Sequence, residues 1–332
     1  MTGVRRALIP VMLAVAAAAI ALGCSSGTGP SNACTLASGG GSPTHPSGLI
    51  DSVYPLAGRP FGVAINSAGD VLIGRQDAND VARGSLSDFR FSISIAAGND
   101  PGTLAMAPSG TEAIVSNYND DSIGRIDVHS NRQTATRAVG SNPFQVKYRP
   151  DGSKFYVGTA NSGLSVFNAS LSLKTHLQAG RLLNGMAFTS SGCTLVVTSN
   201  ANGSATVIDA RGDAVVRTII VGSAPQEVAI SPDSAELWIA DQTAGVQVYD
   251  FASGYLLGTV PGTADAWGLA MSPDGEQLYA TLPEAGQILI ISRSGRSVVG
   301  TLAAGRPRRI SFDAAGAHAV VADEIEGAIL IK

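Results

Sequence analysis

Histidine, tryptophan, cysteine and charge are all scarce in this chain: four His, two Trp, three Cys and 14% charged residues among 332. So little charge, with a formal balance of −4, excludes the basic surface that grips nucleic acid. The cysteine spacing fits no metal site. G-x-S-x-G, H-E-x-x-H and the P-loop are all absent, which removes the commonest linear signatures of an active site. What remains is 45% hydrophobic, with 39 Gly and 16 Pro, the mixture of a turn-rich β protein.

The stretch Val221 to Val260 organises that mixture. It holds four short apolar runs, EVAIS, ELWIA, VQVYD and YLLGTV, separated by SPDS, DQTAG and FASG. Four strands broken by turn residues make one small antiparallel sheet. Versions of it recur behind Gly58, Gly98, Gly140, Gly180, Gly222, Gly262 and Gly305, at intervals of 40, 42, 40, 42, 40 and 43. Four-stranded units at that period predict a propeller of seven blades. The seventh repeat stops at Lys332 after three strands, while a spare strand, LIDSVYPL, stands at Leu49 to Leu56. Pairing the two closes the ring and leaves no open seam. The expected fold is therefore all-β: four-stranded antiparallel blades, seven in number, closed by the N-terminal strand, over residues 49–332.

With P-x-x-V-A-[IM]-[SA]-P-[DS]-G recurring, followed by strands such as FYVGT, LWIAD and LYATL, residues 49–332 resemble the seven-bladed propellers built from YVTN repeats. Those occur in surface-layer and envelope proteins; NHL-repeat and lactonase-type propellers are more distant likenesses. The resemblance implies a fold and not a function, because propellers host enzymes, sensors and scaffolds alike. Two tryptophans cannot supply the docking repeats of quinone-dependent propeller dehydrogenases.

Residues 1–24 read as an export signal, with Arg5 and Arg6 before the alanine-rich apolar run Ala7 to Leu22. The ending Ala-Leu-Gly-Cys looks like a bacterial lipobox, which makes Cys24 the lipidated N-terminus of an envelope lipoprotein. Ala21 departs from the favoured Leu, and a plain secretory signal is the alternative. Residues 25–48 form a Gly/Ser/Pro tether too polar and too patternless to bury a core. Cys34 and Cys193 can then close one disulfide or stand as free thiols; a tether gains little from being pinned, which favours thiols.

On a propeller, the start of the innermost strand and the end of the second strand reach the face where blades connect. The first set is the residue pair after each Pro or its substitute, and includes Phe61, Phe144 with Gln145, Glu227, Trp267, Arg308 and Arg309. The second set is Arg75, Asn117, Thr159, Ser199, Asp241, Leu282 and Asp323. Both are expected to ring the channel mouth. Val63, Leu104, Val146, Met186, Val228, Leu269 and Ile310 stay apolar in every blade and read as packing residues. The SPDG-like turns belong to the opposite face and carry no catalysis.

Five arginines, Arg59, Arg75, Arg306, Arg308 and Arg309, converge on blades seven and one. They suggest an anion site, with ion pairing to Asp77, Asp323 and Glu324 as the structural alternative. For an enzyme, the available oxygen ligands Glu227, Asp241, Asp323 and Asn117 would suit calcium in a lactonase-like hydrolase or lyase. They are scattered over blades two, five and seven, and none of the histidines at 45, 129, 176 and 318 maps to the mouth. The reading is a monomeric binding or scaffolding module without cofactor, metal or catalytic residues. Its partner is a protein or an anionic envelope ligand bound at the mouth, and the mouth faces away from the membrane that holds Cys24.

Overall fold

In the computed structural model, residues 42–332 are described; the leader, Cys24 and Cys34 lie outside them. Twenty-eight strands form seven separate four-stranded sheets in chain order. The only helical turn among the described residues is Tyr118–Asp120. The strands are short because tight turns interrupt the apolar runs, as where Asn79, Asp121 and Gly163 take positive φ just before the next strand, a conformation that Gly, Asn and Asp reach most cheaply.

The seventh sheet takes its outer strand from the start of the chain. Ile50–Tyr54 runs antiparallel to Gly327–Ile331, with Val53 opposite Ile329 and Tyr54 opposite Ala328, and Leu49 and Lys332 exchange both backbone hydrogen bonds. First and last blades are thereby one fabric, with no unpaired edge between them.

Packing follows from strand alternation. Each sheet is apolar on both faces, so the core lies between blades and divides into seven clusters, one per seam. Trp238 of blade five, fully buried, packs with Leu278 and Leu289 of blade six; Leu56, Val71 and Ile73 pack with Val320 and Leu330 across the closing seam. Each such side chain contributes about 1.5–3 kcal/mol by leaving water.

The turns between the first two strands link neighbouring blades as well. A Cβ on Gly152 would lie 3.5 Å from Pro108, one on Gly192 3.3 Å from Pro150, and one on Gly275 2.6 Å from Pro232. Gly and Pro in these turns thus serve the contact with the preceding blade as well as the local bend. At the inner strands, Ser116 accepts from Thr103 N at 3.0 Å and donates to Phe144 O in blade three at 2.9 Å. Thr198 joins blades four and five likewise, and Thr281 joins six and seven.

Contacts with the ring also extend to residues before the closing strand. Thr44 N donates to Ala315 O, Ser47 Oγ to Lys332 O and Tyr279 OH to Pro46 O, and His45 Nδ1 lies 2.6 Å from Asp274 Oδ2. The part of the expected tether nearest the ring is therefore docked, on the turn-bearing side of blades six and seven. Cys193 is disulfide-bonded, which corrects the preference for free thiols; the other cysteines lie outside the described residues.

Candidate functional site: two funnels and a crossbar

The first residue of the expected inner-strand pair does reach the connecting face in six blades. Phe61, Phe144, Asn184, Gln226, Trp267 and Arg308 line a funnel there of about 520 Å³. The second residue turns inward along the channel: Gln145, Glu227 and Arg309 line a separate cavity that opens on the turn side. A bulge produces this division. The pairing register slips in each complete inner strand just after its first residue, as between Pro143 and Gln145, and a one-residue slip exchanges the faces of a strand.

The second expected set is displaced by one. Gln76, Tyr118, Ala160, Asn200, Gln242 and Glu324 line the mouth, each being the residue after the one expected. The residues expected there are fasteners. Asp241 accepts from the backbone N–H groups of Ala224, Thr243 and Ala244. Asp323 accepts from Gly305, Arg306, Ile325 and Glu326. Asn117 takes Gly98 N at 3.1 Å and donates to Ser122. All three are fully buried. Their oxygens satisfy the segment that crosses between blades and the turn that follows, and they do not converge on a cation. The signal was readable: Asp241, Asp323, Ser199 and Thr159 each stand four residues before a Gly, the grammar of turns closed by a side chain.

The arginine sector is paired throughout. Arg75 makes a fork-to-fork contact with Asp80 in its own hairpin, Arg59 meets Asp77 at 3.3 Å and Asp100 at 3.5 Å, and Arg306 contacts Glu284 and Glu324. Arg308 donates to Glu324 Oε1 at 2.8 Å while its guanidinium lies 4.9 Å from the Trp267 ring centre. Of the acids expected to neutralise them, Asp77 and Glu324 do so; Asp323 is occupied by backbone.

Arg309 crosses the channel. From blade seven its Nη1 donates to Glu227 of blade five and its Nη2 to Asn184 O of blade four at 2.9 Å. Phe61 of blade one and Phe144 of blade three pack on the guanidinium at 5.9 and 5.6 Å. Burial pushes its pKa down to about 9. Room for this crossbar comes from glycine. A Cβ on Gly185 would stand 2.7 Å from Glu227.

The mouth funnel is consequently lined by aromatic rings and side-chain amides. Phe61 and Tyr118 meet Phe144 edge to face at 5.5 and 6.2 Å. Asn184 Nδ2 donates to Gln226 Oε1 at 2.6 Å, and Gln226 Nε2 to Gln242 Oε1 at 3.1 Å. Trp267 Nε1 is buried without an acceptor. Two cations, Arg59 and Arg308, face two acids, Asp100 and Glu324. Burial raises the Asp100 pKa against the pull of Arg59.

Among the described residues, the compact His, Asp and Glu group is His45, Asp274 and Glu276, on the turn side. Asp274 already meets His45 through one oxygen, and Ser272 Oγ and Glu276 N through the other.

No family model and no curated protein sequence matches the chain. Among solved structures it is similar to Kuenenia stuttgartiensis hydrazine synthase, with 16% identity, a TM-score of 0.73, 86% of this chain and 98% of that chain covered. It is likewise similar to the Myceliophteria thermophila Cps50 (Swd1) beta-propeller domain, at 14% identity and a TM-score of 0.70, covering 86% and 98%. Similarity at this identity shows a shared architecture and no shared chemistry: the chain folds as a seven-bladed β-propeller.

Proposed function

We propose that this chain is a binding module of the bacterial cell envelope and that its ligand occupies the aromatic funnel at the connecting face. The observation that carries this reading is the funnel's composition: the rings of Phe61, Tyr118, Phe144 and Trp267, side-chain amides among them, and equal numbers of opposite charges. Concave apolar surface with a few fixed polar groups is what small-ligand sites have in common. A neutral polar ligand with a flat face, such as an oligosaccharide, suits it better than an anion, because Arg59 and Arg308 are already answered by acids. The hydroxyls of such a ligand meet the amides and its ring faces meet the aromatics.

Trp267 gives the test, since the other tryptophan, Trp238, is fully buried in the core. Oligomers of N-acetylglucosamine should shift the Trp267 emission saturably, and Phe144→Ala should weaken that response by about tenfold, roughly 1.4 kcal/mol. A response to uronic-acid oligomers alone, or no effect of Phe144→Ala, overturns the assignment.

Attachment to the envelope belongs to the same proposal, through lipid on Cys24. It is supported by the lipobox-like residues and by the likeness to YVTN-repeat envelope proteins. Cys24→Ala should move the protein from the membrane fraction to the soluble one; a wild-type chain already soluble refutes the anchor.

A further inference from the structure

The turn-side funnel is the larger of the two cavities along the channel, at about 600 Å³, and the proposed ligand of the mouth makes no use of it. Its bore is set by the fifth position of the inner strands, which is Ala in five blades, Ser311 in the seventh and Lys147 in the third. Six short side chains leave the channel open at that level, and one lysine stands in the opening.

Three charged side chains line this cavity: Lys147, Glu227 and Arg309. Glu227 and Arg309 pair with each other through Nη1, while Arg309 Nε stays buried without a partner, so the unpaired charge in the cavity is that of Lys147. The residue is exposed to the bore, and its ammonium has no hydrogen-bond or ion-pair partner among the described residues. Of the two other charged residues in the cavity, the cation Arg309 is the one that acts on the lysine. Desolvation by the channel walls, and then the cation Arg309, hold the lysine pKa below its usual range.

We propose that the turn-side funnel binds a small oxyanion, with Lys147 as the group that holds it. An ammonium with three free donors is suited to a phosphate, sulfate or carboxylate as a point charge. The surrounding low-dielectric walls strengthen the attraction relative to a lysine on an open surface. Depth limits the ligand to a small solute, because Lys147 lies inside the channel and not on its rim. The site is separate from the aromatic funnel, and each can fail without the other.

The experiment is calorimetric titration of the full-length chain with inorganic phosphate and with sulfate at low ionic strength, where charge-dominated binding is least screened. Saturable binding is expected for the wild type. Lys147→Ala installs the residue that five other blades carry at this position, so the fold is retained, and affinity should drop by about tenfold or more. Lys147→Arg should keep it within about threefold. Arg308→Met, in the other funnel, should leave phosphate binding unchanged, and phosphate should leave Trp267 emission flat. Absence of saturable binding in the wild type, or equal affinity in Lys147→Ala, overturns the proposal.

Discussion

Arg309 shows how far a side chain's role can lie from what its type suggests. An arginine beside another arginine on a rim reads as an anion clamp, yet this one is buried and its partner, Glu227, lies 82 residues away in sequence. No local pattern contains that pairing, because it exists only once blades seven and five face each other. The bulge that turns Arg309 inward while Arg308 stays at the mouth is equally invisible in the linear repeat. Removing one member of a buried pair strands the other charge, so Arg309→Leu should cost about 3–5 kcal/mol. Combining it with Glu227→Leu should recover most of that loss. Urea unfolding at pH 7 checks both; a single mutant within 1 kcal/mol of wild type would mean that Glu227 finds water or another partner.

At the scale of the element, the closing strand was legible and the tether's end was not. Leu49 to Leu56 carries strand residues, and a seventh repeat one strand short asks for them. By contrast Thr44 to Ser47, in the run SPTHPS, has no hydrophobic pattern and is held by backbone groups and by His45, which no periodicity announces. Truncation separates the two contributions. A chain beginning at Leu49 should lose a few degrees in melting temperature, about 1–2 kcal/mol for a few hydrogen bonds. A chain beginning at Ala57 should lose cooperative unfolding, since it exposes the edge Gly327–Ile331 together with the closing-seam cluster. Equal melting temperatures for these two chains would show that the strand pairing contributes nothing.

Over the whole molecule, the periodicity of glycine and of apolar runs revealed the number of blades because both are local properties repeated seven times, whereas the choice of face at each strand end depends on a one-residue slip. Carboxylates at the blade seams give the ring an acid limit. Arg211 draws down Asp209, and Arg293 with Ser231 draws down Asp233. Burial opposes the charge of Glu236, but Arg293, Arg296 and Trp238 Nε1 outweigh it. Because these pKa values are lowered on folding, their stabilisation is complete above the unfolded values of 3.8 and 4.5 and is lost as pH falls through the lower folded ones. Melting temperature should therefore hold steady down to about pH 5 and then fall, less steeply in Arg293→Met; a pH profile unchanged by that substitution would remove the blade-five-to-six network from the account. The hydroxyls of Ser116, Thr198 and Thr281 carry a different message. They join blades two, four and six to their successors, the same blades whose glycine intervals are 42, 42 and 43 where the others are 40. In blades one and three, where the hydroxyl is missing, Gly74 and Gly158 stand at the same register, and a Cβ there would lie 2.9 Å from Gly102 O and 2.8 Å from Leu183. Across blades one to four, seams closed by direct backbone approach therefore alternate with seams tied by a hydroxyl, so the ring is stiffened there by two different means in turn.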